Sequence, residues 1–276
     1  MMMQPSGIFK HSVWALILTL TLSLGLSSCS EDNPDDDSVN IFSITDDIQL
    51  GKQTVAEIEK NPQEYPILSE TQYPVAYGHL RRISKTILDG SKVFYKDKFE
   101  WQTKIIKNDK VLNAFCTPGG YIYVYTGLIK FLDNETQLAG VMGHEIAHAD
   151  RRHSTDQLTK IYGITTLLSV VLGNNPGLVA EMATAVIGLK FSRDNETEAD
   201  KYSVIYLYPT EYDARGAKYF FEKIINQGGS SPPEFLSTHP NPDNRVVNIE
   251  NEWKALGSIT GQTFEQRYQD FKNSLP

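Results

Sequence analysis

His144-Glu145-Ile146-Ala147-His148, inside "GHEIAHADRRHS" (Gly143 to Ser154), is the stretch from which the rest of the chain is read. Two histidines at i and i+4 leave the same face of an α-helix one turn apart, so both imidazoles can reach one metal ion. Glu145 is rotated off that line, where it is placed to take a proton from an attacking water rather than to act as a third ligand. A catalytic zinc site takes three protein donors and keeps a fourth position open, so one more donor must come from elsewhere. Histidine six residues after His148, with glycine three after it, would be one solution, but those positions hold Ser154 and Arg151. His153 is turned about half way round a continuous helix from His144, at ~100° per residue, and reads as a surface histidine.

The third donor is expected from "SRDNETEAD" (Ser192 to Asp200). An acidic run of this kind is most often a solvated helix face. Beside His144 and His148, Glu196 reads instead as the missing ligand. Asp200 lies one turn on along the same face, placed to accept the free ring N–H of a ligating histidine and so fix its tautomer. Glu198 points to a different side and is not expected to bind metal.

Two further blocks complete an ordered set: "NAFCTPGGYIYVYTGLI" (Asn113 to Ile129) before the histidines and "STHPNPDNR" (Ser237 to Arg245) after the acidic run. Taken together, over roughly Ile44 to Leu256, the four blocks resemble the zinc metallopeptidases that include the HtpX heat-shock proteases, the CAAX prenyl endopeptidases and lipoprotein members of the bacterial envelope. The resemblance implies an α+β, mainly helical, zincin-like domain with a small antiparallel sheet. It implies one Zn2+ per chain held by His144, His148 and Glu196, with Glu145 as general base and acid and Asp200 behind the ligands. His239 matches the histidine of the family's "T-H-P" block. It is expected near the open position, hydrogen-bonding the developing oxyanion or acting as a transient fourth ligand. Arg245 is expected to hold a site carboxylate in place. The implied activity is endopeptidase action on protein substrates such as misfolded envelope proteins, in quality control. The alternative is a zinc-stabilised, chaperone-like or assembly-binding lipoprotein with a latent or closed site.

The first residues read as a targeting segment. Lys10 and His11 precede an apolar stretch from Val13 to Leu26, shorter than the ~20 residues a spanning helix needs, and it runs into Leu26-Ser27-Ser28-Cys29. This resembles a bacterial lipoprotein signal: residues 1–28 are expected to be removed and Cys29 lipidated, which anchors the chain to a membrane. Residues 29–40 read as the lipidated cysteine and an acidic tether, and 41–276 as one metallopeptidase domain with a core of useful size. The expected location is the bacterial envelope at the outer membrane, with the periplasmic or surface-facing side left open. Cys116 then stands as a lone cysteine in an apolar strand and reads as a small buried hydrophobe. A net charge of −8 with no basic stripe argues against a nucleic-acid partner.

Helical spacing predicts helices over Asp46 to Lys60 and Pro74 to Leu88. Between Val93 and Thr126 the pattern becomes strand-like, with Pro118-Gly119-Gly120 marking a turn. The last strand, Tyr121 to Tyr125, is expected at the cleft edge, where Tyr121, Ile122 and Tyr123 would bind an extended substrate through the main chain. Asn134 with Gln137 resembles a helix N-terminus, and the helix that it opens is expected to carry the metal histidines and run on towards Leu172. Residues 161–189 read as a helical hairpin, each half only ~18 Å long as helix and too short to cross a bilayer. "YDARGAKYFFEKIINQG" and "DNRVVNIENEWKALG" predict two further amphipathic helices.

Overall fold

The computed structural model describes residues 40–171, 173, 175–227, 234–240 and 244–276. The expected signal segment, Cys29 and nearly all of the tether lie outside the described residues. In chain order the elements are α1 (Ile44–Lys60), α2 (Pro74–Gly90), β1 (Gln102–Ile106), β2 (Ala114–Thr117), β3 (Tyr121–Tyr125), α3 (Thr126–Phe131) and α4 (Glu135–Asp150). There follow α5 (His153–Tyr162), α6 (Ile164–Val171), α7 (Pro176–Ile187), α8 (Arg193–Leu207), α9 (Gly216–Gln227), α10 (Phe235–Thr238), α11 (Arg245–Ala255) and α12 (Glu265–Asn273). The domain is mainly helical, as expected, with one small sheet. Among the described residues no helix is long and apolar enough to cross a membrane.

The helix α4 is the axis of the core. Every one of its residues is buried, as befits a helix surrounded by others rather than lying on a surface. It packs against α8 and α9, with α2 and β2 on its remaining sides. Its start is tied down by the Asn134 side chain, which accepts the Gln137 N–H at 3.0 Å, while Gln137 Oε1 accepts the Asp133 N–H at 2.7 Å. Gly140 permits the close approach of α9: a Cβ there would sit 2.0 Å from the Ala217 nitrogen.

This helix stops at Asp150, well short of Leu172. Arg152 adopts left-handed backbone (φ 56°), and Gly163 (φ 75°) separates α5 from α6. No glycine or proline marks the first break. Long-range contacts hold it: Arg152 Nε donates to Asp47 of α1 at 2.6 Å, and the Asp150 carboxylate accepts the backbone N–H groups of Tyr95 at 2.7 Å and Phe94 at 3.1 Å.

The sheet is mixed rather than antiparallel. Its order is β1-β3-β2, with β1 parallel to β3 (Gln102 opposite Tyr121) and β2 antiparallel to it (Cys116 opposite Ile122). Gly119 and Gly120, at φ 79° and 94°, close the β2–β3 hairpin. Because "AFCT" forms a strand of its own, β3 is central. The main chain of Tyr121, Ile122 and Tyr123 is engaged on both sides, so these residues do not form a substrate-binding edge. The strand β2 is the edge that lies against α4.

The helices α6 and α7 form the expected hairpin, which packs Leu167, Met182, Ala183 and Val186 with Leu50, Leu158 and Phe191. Ile161 of α5 and Ile164 and Leu168 of α6 remain exposed.

Candidate metal centre

Three elements build the site. The helix α4 supplies His144, Glu145 and His148; α8 supplies Glu196 and Asp200; and the segment from α10 to α11 supplies His239 and Arg245. The capping box between Ser192 and Asn195 starts α8 at Arg193, which puts Glu196 at the end of its first turn, facing α4. All seven side chains are buried.

The Nε2 atoms of His144 and His148 lie 3.0 Å apart. Glu196 reaches both, with Oε2 at 3.4 Å from His144 Nε2 and Oε1 at 3.3 Å from His148 Nε2. Donors arranged tetrahedrally around an ion at about 2.0–2.1 Å stand about 3.3 Å from one another. The three side chains therefore already hold the spacing a metal would impose. His239 joins them: ligand atoms of His144, His148, Glu196 and His239 all fall within 4.8 Å of one another. Glu196 Oε1 and His239 Nε2 have no hydrogen-bond partner among the described residues. A cation gives both a role that nothing else at the site provides.

Behind the ligands, Asp200 Oδ1 lies 3.0 Å from Nδ1 of His144, the ring nitrogen turned away from the donor cluster. Arg245 clamps that carboxylate with Nε and Nη2 at 2.8 Å each, and its Nη2 also reaches Glu196 Oε2 at 3.1 Å. The guanidinium lies 3.6 Å over the Phe221 ring, which fixes its plane.

Glu145 faces the cluster without belonging to it. Both its oxygens are buried with no hydrogen-bond partner among the described residues, and His239 Nε2 lies 3.4 Å from Oε1. Burial pushes its carboxyl up to about 8, because charge is penalised in a dry pocket. Cys116, buried as expected, lies beside it; burial and the Glu145 charge raise the thiol well above its ordinary value.

The ligands divide by environment. Burial disfavours a charged His144, but Asp200 and Glu196 together outweigh it and hold the imidazole up at about 9. Burial takes His148 well below the usual histidine value and His239 down to about 4. Burial also opposes charge on Glu196, yet the imidazoles of His239, His144 and His148 around it hold its carboxyl well below the ordinary range. Without a metal, then, Glu196 is ionised and His148 has a free lone pair. His144 and Glu145 carry protons near neutral pH.

One residue stands elsewhere than expected. His153 is not on the surface: it is buried, with Nδ1 at 2.9 Å from Nδ1 of His148. Its Nε2 lies 3.2 Å from Oε2 of Glu198, which is not among the four residues of the donor cluster. Aromatic rings close the remaining sides. Phe191 stacks on His148 at 3.9 Å between centroids, and Phe235 stacks on His239 at 4.2 Å.

Residues 76–253 match the family model described as Peptidase family M48. Among known proteins, the chain is 37% identical over 147 residues to the Mitochondrial metalloendopeptidase OMA1 of Arabidopsis thaliana, covering 52% of this chain and 30% of that protein. It is 32% identical over 179 residues to the Beta-barrel assembly-enhancing protease of Escherichia coli (strain K12), covering 59% of this chain and 37% of that one. It is 29% identical over 190 residues to the Mitochondrial metalloendopeptidase OMA1 of Schizosaccharomyces pombe, with 67% and 55% covered. The chain spans about a third of the length of the first two relatives.

Proposed function

Because the chain belongs to peptidase family M48, we propose that it is a zinc-dependent endopeptidase in which His144, His148 and Glu196 hold one zinc ion per chain. The observation that carries this reading is the convergence of those three donors at metal-ligand spacing, with an unpartnered carboxylate, Glu145, facing them. When bound, zinc supplies a Lewis acid that polarises the scissile carbonyl and lowers the pKa of water to about 7.

The chain's own residues do the rest. Glu145, buried beside the donors with both oxygens unengaged among the described residues, accepts the proton of the attacking water and passes it to the leaving amine. Asp200 fixes the tautomer of His144, and Arg245 holds Asp200 and Glu196 in register. His239 closes the cluster in the conformation described. When substrate displaces it, its ring is placed to hydrogen-bond the oxygen that gains negative charge. An extended peptide adds along the outer edge of β2, which pairs with no further strand among the described residues and where Cys116 lies beside Glu145. Main-chain pairing of this kind recognises backbone more than side chains, which suits a protease acting on misfolded proteins.

The same reading places the protein in the bacterial envelope, lipid-anchored through Cys29 at the outer membrane and acting on misassembled envelope proteins. Support comes from Leu26-Ser27-Ser28-Cys29 and from the name of the Escherichia coli relative; the relatives named as mitochondrial set no compartment for this chain. Purified protein should cleave casein, with activity abolished by a chelator and restored by zinc. Labelled palmitate should be incorporated in cells and lost in Cys29→Ala. Stable casein in the presence of zinc would overturn the enzymatic reading.

One observation favours a second reading. Four donors converge rather than three, all of them buried. A closed site of this kind fits a zinc-stabilised assembly-binding lipoprotein in which His239 completes the coordination permanently. It would bind zinc tightly and cleave nothing, even after His239→Ala.

A further inference from the structure

Two histidines of α4 are to bind one ion through Nε2, and each must then carry its proton on Nδ1 and find an acceptor for it. For His144 the carboxylate that stands there is Asp200, buried and held by Arg245, with Oδ1 at 3.0 Å from Nδ1. No carboxylate of the site lies against Nδ1 of His148. What stands there, at 2.9 Å, is Nδ1 of His153.

We infer that His153 is a positioning residue that holds His148 in its metal-binding tautomer, and that Glu198 and Arg151 set the direction of the relay. The proton assignment follows from what each group can do. The Glu198 carboxylate only accepts. It receives Arg151 Nε at 2.7 Å on Oε1 and faces His153 Nε2 at 3.2 Å with Oε2. The His153 proton therefore sits on Nε2, which leaves Nδ1 as an acceptor. Across 2.9 Å, that acceptor takes the Nδ1 proton of His148. The Nε2 lone pair of His148 is thereby freed and aimed at Glu196 and the cluster. Every contact in the chain receives one hydrogen, and no other tautomer of either ring satisfies both ends.

The two ligand imidazoles are thus supported in parallel. His144 leans on a carboxylate directly, and His148 leans on one through an intervening ring; an arginine clamps each carboxylate. The helix α8 supplies both supports, Asp200 on the face that carries Glu196 and Glu198 on the flank beside α5. The left-handed turn at Arg152 is what makes the second support reachable, because it brings the first residue of α5 back onto the end of α4. Phe191 packs on both His148 and His153, keeping water from competing for the contact between them.

This inference rests on the zinc-binding reading above, and zinc affinity of the full chain, measured by competition with a chelating dye, separates the two. His153→Leu removes the acceptor and should weaken zinc binding about 10- to 100-fold. His153→Asn keeps an acceptor oxygen near the position of Nδ1 and should bind within about threefold of wild type. Glu198→Gln, at a partly exposed position, should weaken binding about tenfold, the lower end of that range. Thermal unfolding of the metal-free proteins should move little between the Leu and Asn variants. Wild-type affinity in both His153→Leu and Glu198→Gln would overturn the relay while leaving the zinc site intact. So would an Asn variant as weak as the Leu variant, which would mean that the ring matters as packing. A wild-type protein that binds no zinc would overturn the site itself.

Discussion

His239 Nε2 lies 3.4 Å from Oε1 of Glu145, and neither of these atoms has a hydrogen-bond partner among the described residues. The carboxylate on the central helix and the histidine after α10 are therefore set against each other, both buried, with the three donors of α4 and α8 beside them. Glu145→Gln keeps the shape of this arrangement and removes its proton acceptor. Proteolysis should fall at least about a hundredfold, as expected for loss of a general base, while zinc per chain stays unchanged. Activity within tenfold of wild type would remove Glu145 from that role.

Removing a ligand has a different signature from removing a support. His144→Ala should abolish stoichiometric zinc, read by elemental analysis after dialysis. Asp200→Asn leaves the donors in place and should weaken zinc binding about 10- to 100-fold. Equal zinc affinity in Asp200→Asn and wild type would show that the Asp200–His144 contact does not orient the ring.

Zinc uptake should release protons. Near pH 7 the metal-free His144, with its pKa held at about 9, is protonated and must lose that proton to bind; Glu145, at about 8, is drawn down by the incoming charge. Affinity should consequently rise as pH increases from 6 towards 9, up to about tenfold per unit for each proton released. Titration calorimetry in buffers of different ionisation enthalpy should show at least one proton released per zinc at pH 7. A heat independent of buffer would contradict the protonation states assigned to the metal-free site.

Gly140 sits where α4 meets the start of α9, with no room for a side chain. Gly140→Ala forces backbone apart and should cost about 1–3 kcal/mol or more, lowering the thermal midpoint by several degrees. An unchanged midpoint would mean that the two helices separate more easily than their contact suggests.

Most of the site was legible because it is written in local spacing. His144 and His148, then Glu196 and Asp200, are each four residues apart, so a single helix face presents each pair whatever the rest of the fold does. His153 was not legible for the complementary reason. Its direction was reckoned along an unbroken helix, and the break at Arg152 depends on Asp47, more than a hundred residues earlier in the chain. The sheet failed similarly: "AFCT" is short, and the parallel pairing of β1 with β3 across an intervening hairpin leaves no local mark. Several of the helices, α1, α2, α9 and α11 among them, followed from apolar spacing along the chain. Which strand lies at the edge followed only from the pairing.

The most direct measurement is anomalous diffraction at the zinc edge from crystals of the zinc-loaded full chain. Expected is one strong peak per chain within about 2.0–2.2 Å of Nε2 of His144, Nε2 of His148 and a Glu196 carboxylate oxygen. A zinc peak elsewhere, with Glu196 turned away from the two histidines, would contradict the metal centre and every function argued from it.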